Sequence, residues 1–330
     1  MGSSQRVTLA SVATAAGVDV SLVSRVLRGQ TAGERAETRE RILYHASNLG
    51  YRPNTVARSL RTATAGAYGL VVPDFNNPVY GSIIAGAERA AAASNSVILV
   101  GSGAGWKTED WYNALASGRV DGLLVMGGEA PPEIVRLGVP YLFVNRAAGG
   151  MRRTLTLDDG QASRLAVRHL IDQGHTRIAH IGGPVKADTA ERRLSGYREA
   201  LKDAGLTADS VLVVRGQYTP GGGARALGTL LRRTSDFTAI LVANVTAAIG
   251  VLSALAHHGI EVPRDVSVVA IHDADIAAYA QPALTTVRMP LQRLGARAIE
   301  LLREREPDEP IEEVLDRPIQ LVVRESTRTL

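Results

Sequence analysis

The chain contains no cysteine among its 330 residues. Disulfide bonds and thiolate chemistry are therefore excluded, both as structural supports and as catalytic devices. No apolar run reaches the length that a membrane-spanning helix needs, and the first residues lack the basic, apolar and cleavable regions of a secretion signal. These absences predict a cytoplasmic protein with no membrane partner.

Motifs for catalysis and for cofactor binding are missing too. The sequence has no G-x-S-x-G nucleophile elbow and no G-x-x-x-x-G-K phosphate loop. A glycine-rich turn, GSGAG at 101–105, follows a strand-like run, but no suitably placed acid ends the next run, LLVMGG. The histidines show no metal-ligand spacing on one helix face. We therefore expect no enzymatic activity, no cofactor and no metal.

The net charge of +4 is unevenly distributed along the chain. Residues 1–61 contain nine arginines and four acids, so this segment carries +5 and the remaining 269 residues sum to −1. A positive field at one end is typical of a nucleic-acid-binding module attached to a neutral body, although an incidental basic tail would have the same composition.

The first fifty residues predict three short helices. Thr8 and Asp19 are suitable N-caps for the first two, Gly17 suits a left-handed stop, and the third runs from about 36 to 49. The apolar positions expected to face inward are Leu9, Val12, Ala13, Ala16, Leu22, Val23, Val26, Leu27, Ile42, Leu43, Ala46 and Leu49. The outward positions of the second helix are Ser21, Ser24, Arg25 and Arg28.

The segment YRPNTVARSLRTATAG follows these helices. Pro53 suits the first turn of a helix, and residues 54–61 would form only about two turns before a linker rich in Thr, Ala and Gly. Such a short helix is marginal by itself in water. We expect it to form only when something packs on it.

From Gly66 onward, apolar strand-like runs alternate with amphipathic helix-like segments. The runs include AYGLVVP, SVILVGS, GLLVM, YLFVN, RIAHIGG, VLVVRG, AILVAN and VSVVAIHD. This alternation predicts an α/β core with mostly parallel sheets and helices on both faces, divided into two doubly wound lobes. Ligands of such folds bind beyond the carboxyl ends of the strands, so a cleft between the lobes is the expected site.

The ordered set of segments resembles the LacI/GalR family of bacterial transcription regulators. The resemblance rests on VTLASVATAAGVDVSLVSRVLRG, GYRPNTVARSLRT, VDGLLV, VPRDVSVVAIHD, PALTTV and LVVRESTR. It implies a homodimer that binds near-palindromic double-stranded operator DNA and a core like the periplasmic binding proteins. The implied divisions are a helix-turn-helix headpiece at 1–52, a hinge helix and linker at 53–65, and a core at 66–330. Within the core, one lobe spans about 66–161 and 291–319, and the other about 162–290 and 320–330.

The resemblance also implies which residues meet DNA. Val20, Ser21 and Arg25 would read base edges in the major groove, where arginine can pair bidentately with guanine. Leu60, beside Ala57, would wedge into the minor groove and kink the duplex. The full expected set is Thr8, Val20, Ser21, Leu22, Ser24, Arg25, Arg28, Asn54, Ala57 and Leu60.

An effector site is implied in the cleft between the lobes. Its expected residues are Val79, Tyr80, Asn145, Thr189, Arg193, Tyr218, Asn244, His272 and Asp273. Family members that bind sugars often have acids where this chain has Asn145 and His272, and an Asn-Asp pair where it has Asn244-Val245. The effector is therefore expected to be a sugar or an anionic metabolite, and its binding changes operator affinity in a direction left open.

Two further features bear on function. The pair Glu34-Arg35 stands where the family has a hydrophobic residue and serine, so the cap of the third helix is expected to be lost or shifted. No heptad segment follows RESTRTL, which favours a dimer over a tetramer. The alternatives kept open are a ligand-binding protein with the same core that does not regulate DNA, and a regulator controlled by a protein partner.

Overall fold

A computed structural model describes residues 7–30, 33–52, 64–102, 108–127, 132–147, 150–304, 306 and 309–330. The chain divides into two compact units, 1–63 and 64–330. The expected hinge residues Asn54, Ala57 and Leu60 lie outside the described residues, so their roles stay predictions.

The first unit contains three helices, α1 (Leu9–Ala16), α2 (Val20–Leu27) and α3 (Ala36–Asn48). Thr8 and Asp19 accept hydrogen bonds from the backbone N–H groups of Ser11 and Ser21, as N-caps do. Gly17 ends α1 in the left-handed conformation at φ 63°. The buried side chains of this small core are Val12, Ala13, Ala16, Val23, Val26, Ile42 and Ala46.

The buried positions of helix α3 differ from those expected, whereas its N-cap agrees with expectation. Leu43 and Leu49 are 41% and 39% exposed, and so are not core residues. The buried stripe of α3 is the pair Ile42 and Ala46, four residues apart, and Leu43 lies about 100° around the helix from Ile42. Arg35 occupies the N-cap without a side-chain hydrogen bond, which confirms that the usual cap is lost.

The first sheet of the second unit belongs to a lobe that we call the N-lobe. Its described strands are parallel and run in the order β11-β5-β4-β3-β1-β2. These strands and their helices are β1 (Ala67–Val71), α4 (Pro78–Ala92), β2 (Val97–Gly101), α5 (Thr108–Ala116), β3 (Gly122–Val125), β4 (Tyr141–Val144), β5 (Arg153–Thr156), α11 (Leu291–Glu304) and β11 (Ile311–Val314). A 3-10 turn spans Pro132–Arg136.

The second sheet belongs to the C-lobe and runs in the order β12-β10-β9-β8-β6-β7. Its described strands are parallel except for β12, which pairs antiparallel with β10. The elements are α6 (Asp159–Asp172), β6 (Ile178–Gly182), α7 (Asp188–Asp203), β7 (Val213–Arg215), α8 (Pro220–Arg233), β8 (Ala239–Val242), α9 (Val245–His257), β9 (Ser267–Ile271), α10 (Asp275–Ala278), β10 (Thr285–Arg288) and β12 (Gln320–Val322). A 3-10 turn at Ser210–Leu212 precedes β7.

The chain passes between the two sheets after β5, after β10 and after β11. The first passage comes before α6, which begins at Asp159, within a few residues of the lobe boundary that the resemblance implies at about residue 161. Helix α6 packs on α7 and on strands of the C-lobe, and therefore starts the C-lobe.

Glycines lie where the main helix pairs cross. A Cβ added to Gly86 of α4 would lie 1.8 Å from the backbone oxygen of Gln292 in α11, and one added to Gly295 would lie 1.9 Å from the oxygen of Ile83. The pairs α6/α7 and α8/α9 have the same arrangement at Gly196, Gly223 and Gly250. These backbones are in contact, so the helices that carry the cleft residues are held closely against one another.

Within the described residues, no single helix is long and apolar enough to cross a membrane. Helices α1 and α2 pass that test only when they are joined, and they bend by 106° at their break.

Candidate functional site

The exposed face of α2 carries the residues expected to read DNA. Val20, Ser21 and Arg25 are exposed, and Leu22 is half-buried against the small core of the first unit. Ser24 is also half-buried, and its backbone oxygen accepts a hydrogen bond from Arg28 Nε at 2.8 Å. Thr8 is exposed as the cap of α1. The structure thus places Val20, Ser21 and Arg25 where a duplex can reach them, and DNA contact itself stays a prediction.

Arg25 already has a partner within the first unit. Its Nη2 donates to Glu34 Oε1 at 2.8 Å. The side chain of Arg25 is 52% exposed and that of Glu34 is 20% exposed. In the sequence Glu34 stands out only as a departure from the family pattern, since its pairing with Arg25 forms on folding.

The cleft residues of the second unit gather beyond the carboxyl ends of strands from both sheets. Eight of the nine expected residues line one cavity, and Asn77 and Arg146 line it with them. Each lies directly after a strand or in the first turns of a helix that follows one, which is where α/β sheets bind ligands. The eight are Val79, Tyr80, Asn145, Thr189, Arg193, Tyr218, Asn244 and His272.

Asp273 is the exception. It follows His272 but does not line the cavity. Its carboxylate accepts from Arg288 at 2.6 Å, from Arg324 at 2.8 Å and from the Thr286 hydroxyl at 2.7 Å. Burial raises the pKa of Asp273, but these hydrogen bonds outweigh burial and hold the pKa below its ordinary value. Asp273 was expected among the cleft residues, but β10 and the segment after β12 take its carboxylate instead.

Arg193 lies on the cleft floor as part of a buried ion pair. Its side chain and that of Asp159 are 2% and 1% exposed, and its Nε donates to Asp159 Oδ1 at 2.7 Å. Nη1 donates to the backbone oxygen of Ala243 at 2.5 Å. Burial raises the pKa of Asp159, but the charges of Arg193 and Arg192 lower it by a larger amount. The pKa therefore lies below its ordinary value and the carboxylate is ionised. The positive charge of Arg193 is therefore balanced from within the protein.

Arg193 also determines the tautomer of His272. Burial, with the nearby charge of Arg193, lowers the pKa of His272 to about 3, so its imidazole is neutral near pH 7. Arg193 Nη2 lies 3.4 Å from His272 Nε2, and an arginine can only donate. The ring proton is therefore assigned to Nδ1. That atom is buried and has no hydrogen-bond partner among the described residues.

Asn145 mirrors His272 from the other lobe. Both residues have left-handed backbones, with φ of 70° and 69°, a conformation that non-glycine residues seldom adopt and that collects at functional sites. The Oδ1 atom of Asn145 is buried and, like His272 Nδ1, finds no hydrogen-bond partner in the described part of the chain. Two strained turns, one from each lobe, thus bring an unmatched acceptor and an unmatched donor to one cleft.

The two lobes are joined across the cleft mouth by polar contacts. The backbone N–H of Ala147 donates to Asp188 Oδ2 at 2.8 Å, and Arg192 Nη2 donates to the backbone oxygen of Asn145 at 3.3 Å. The cavity inside measures about 20 Å³. This volume holds roughly one water molecule, so the cleft is closed and a metabolite can enter only if the lobes part or side chains move.

Aromatic and cationic groups form one wall of the cavity. The Tyr218 hydroxyl is 2.9 Å from the Thr189 hydroxyl, and the guanidinium carbons of Arg146 and Arg193 lie 5.9 and 5.6 Å from the Tyr218 ring centre. Burial raises the pKa of Tyr80, so its hydroxyl stays protonated. Asn244 caps α9 by accepting from the Ala247 N–H at 3.0 Å, so its Oδ1 is already engaged.

Sequence reasoning missed three residues of this site. Asn77 and Arg146 adjoin expected residues in the segments NNPVY and VNR, so a search that included chain neighbours would have found them. Asp159 had no such signal, since it pairs with an arginine 34 positions away. Among the described residues, no group of three or more His, Cys, Asp or Glu side chains is arranged to hold a metal ion.

Comparison with known proteins decides the family. Residues 8–54 match the family model described as "Bacterial regulatory proteins, lacI family", and residues 167–327 match a periplasmic binding protein-like domain. The transcriptional regulator GalR of Escherichia coli is 33% identical over 316 residues, which cover 93% of this chain and 91% of GalR. The chain belongs to the LacI family.

Two solved structures of the LacI family resemble this chain over nearly its full length. A complex of the transcriptional regulator CelR with cellobiose has 33% identity and a TM-score of 0.74, covering 97% of this chain and all of that one. The Lac repressor dimer bound to operator and an anti-inducer has 26% identity and a TM-score of 0.84, covering 98% and 100%. This LacI-family protein is therefore a DNA-binding transcriptional regulator, as the headpiece and the two-sheet core predicted.

Proposed function

We propose that this LacI-family regulator represses transcription as a homodimer on near-palindromic operator DNA, and that a small molecule in the cleft changes its operator affinity. The paired left-handed residues Asn145 and His272, with their unmatched polar atoms, carry the effector part of the proposal. The operator-bound Lac repressor dimer and the cellobiose complex of CelR support it by similarity. Since GalR of Escherichia coli, which this chain resembles over most of its length, is a transcriptional regulator, we infer no enzymatic activity for this chain.

The cleft's hydrogen-bonding groups indicate the chemistry of the effector. His272 Nδ1–H calls for an acceptor on the ligand, and Asn145 Oδ1 calls for a donor such as a hydroxyl. Arg193 is neutralised by Asp159, whereas the guanidinium of Arg146 has no carboxylate partner in the described part of the structure. The cleft therefore suits a small hydroxylated metabolite with one anionic group, such as a sugar acid or sugar phosphate. A neutral sugar is the second candidate, which the likeness to the CelR complex favours.

The closed cleft also supplies a means of control. An effector larger than one water cannot fit the cavity as it stands, so binding requires side chains to move or the lobes to part, and parting the lobes changes their spacing. A ligand shifts such an equilibrium by its difference in affinity for the two states. Operator affinity then follows cleft occupancy if the hinge segment senses that spacing.

Salt dependence of DNA binding tests the regulator function. We expect the full-length protein to select a near-palindromic duplex from a random library and to prefer it over unrelated DNA. Anisotropy titrations should show affinity falling by roughly 10³-fold between 50 and 200 mM salt, because phosphate contacts release counterions. Weak binding without sequence preference would instead favour the alternative of a ligand-binding protein that does not regulate DNA.

Replacing Asn145 with glycine tests the effector site without backbone cost. Glycine accepts a φ of 70° freely, so Asn145→Gly removes Oδ1 while relieving strain, and stability should stay equal or rise slightly. Calorimetry with a panel of neutral sugars, including cellobiose, sugar acids and sugar phosphates would first identify a ligand of the wild type. We expect the variant to bind that ligand about tenfold or more weakly, since a buried polar group loses its partner.

A matched control is available at Asn95. This residue also has a left-handed backbone, at φ 55°, but lies exposed after α4 and does not line the cleft. Asn95→Gly should leave ligand affinity unchanged. If Asn145→Gly binds the ligand as tightly as Asn95→Gly does, the cleft assignment is wrong.

A further inference from the structure

The contact between Arg25 and Glu34 joins the exposed face of α2 to the segment before α3. Glu34 lies nine residues after Arg25, and its Oε1 accepts from Arg25 Nη2 at 2.8 Å. Glu34 has the more buried of the two side chains, at 20% exposure against 52%. The Glu34 side chain is thus mostly buried against the headpiece, while the Arg25 side chain extends into solvent.

Among the described residues, Glu34 is the side chain that accepts a hydrogen bond from Arg25, so most of the N–H donors of Arg25 stay available. A guanidinium has five N–H groups, and Glu34 accepts from one of them. The others can still form the two-pronged contact with guanine O6 and N7. An arginine held by a carboxylate on one edge can therefore read a base with another edge.

An exposed ion pair of this kind adds little to folding stability. Its effect on recognition is larger, for two reasons. Fixing the flexible arginine before DNA arrives removes part of the ordering cost of binding. The carboxylate also neutralises a charge that phosphates anywhere on a duplex would attract, which weakens binding that does not depend on sequence.

We propose that Glu34 is a positioning residue that holds Arg25 for base readout and thereby sets the sequence specificity of the headpiece. The proposal rests on the proposed role of α2 in DNA recognition. It extends that role to a residue outside α2, at a position where the family pattern has a hydrophobic side chain.

Two variants at this position separate charge from hydrogen bonding. Glu34→Gln keeps an acceptor and the side-chain volume but removes the charge, whereas Glu34→Ala removes both. The matched control is Glu37→Gln, an exposed acid in the first turn of α3. Each full-length variant is used to select duplexes from a library with a randomised 20-base-pair centre, and its affinity for wild-type-selected and unrelated duplexes is measured by anisotropy.

The wild type should enrich a guanine at one position of each half-site. For Glu34→Ala we expect the preference for that guanine to fall about tenfold, in the range of one bidentate base contact, and affinity for unrelated duplex to rise about threefold. Glu34→Gln should show the rise in full and a smaller loss of preference. Glu37→Gln should raise affinity for all duplexes alike, with base preference unchanged.

Combination with Arg25→Ala shows whether Glu34 acts through Arg25. In that background, Glu34→Ala should have no further effect on base preference, while a structural role would persist. Equal thermal unfolding midpoints would show that the variants fold. If the wild type selects a sequence and both Glu34 variants select it with undiminished preference, the inference is overturned and the regulator function stands. If the wild type selects no sequence, the proposed function itself fails.

Discussion

Replacing Asp159 with asparagine is expected to lower the free energy of unfolding by about 3 kcal/mol or more. Arg193 would remain buried at 2% exposure without a carboxylate, and an uncompensated buried charge costs far more than an ion pair contributes. Arg192 would lose its 2.7 Å contact as well. Urea unfolding followed by circular dichroism measures the change, as a lower midpoint with an unchanged slope.

The pair Arg164 and Glu199 supplies the control for Asp159. Glu199 lies on α7 like Arg193, and its contact with Arg164 is 2.6 Å, but its side chain is 48% exposed. Glu199→Gln should therefore change the free energy of unfolding much less than Asp159→Asn does. A second variant, Asp159→Asn with Arg193→Met, removes both charges and should recover much of the loss. Equal small effects for Asp159→Asn and Glu199→Gln would contradict the buried-charge interpretation.

Adding one methyl group at Gly86 is expected to destabilise the N-lobe by about 1–3 kcal/mol, because the new Cβ meets backbone that cannot rotate away. The Cβ would lie 1.8 Å from the Gln292 oxygen, so α4 and α11 would have to separate. Since α4 begins at the cleft with Asn77, Val79 and Tyr80, effector binding should weaken along with stability. Thermal unfolding and calorimetry on Gly86→Ala measure the two effects.

Gly81 is the matched control in the same helix. A Cβ at Gly81 would meet nothing within 4 Å, so alanine adds only helix propensity. Gly81→Ala should raise stability by about 0.5–1 kcal/mol, the opposite sign from Gly86→Ala. Loss of stability at both positions would show that helix geometry, and not the crossing with α11, is responsible.

The outcome at particular residues shows how far sequence reasoning reached. Local signals were sufficient for the caps at Thr8 and Asp19 and for the lost cap at Arg35, because each depends on neighbours within a few positions. They were not sufficient for Leu43 and Leu49, whose periodicity fits a buried face although both are exposed. A three-helix unit has too small a core to cover every apolar position on α3.

Some of the cleft residues could likewise be predicted from the sequence, and others could not. Strand ends are visible in the sequence, and parallel sheets bring their carboxyl ends to one edge, so eight of the nine expected residues share a cavity. Asp273 also follows a strand, but Arg324, 51 positions away, takes its carboxylate. Local pattern places a residue at the edge of a sheet and does not show which partner its side chain will find.

The sequence by itself determined the elements, the two-sheet core, the family and the outward face of α2, because periodicity, caps and motifs act over short distances. The tertiary structure alone decided which charges remain available. It neutralises Arg193 with Asp159, leaves Asn145 and His272 with unmatched polar atoms, and seats Glu34 against Arg25. The partner of a charged group belongs to a chain segment that it meets only after folding. Burial then lowers the local dielectric, so the interaction energy of each pair is larger than it would be in water.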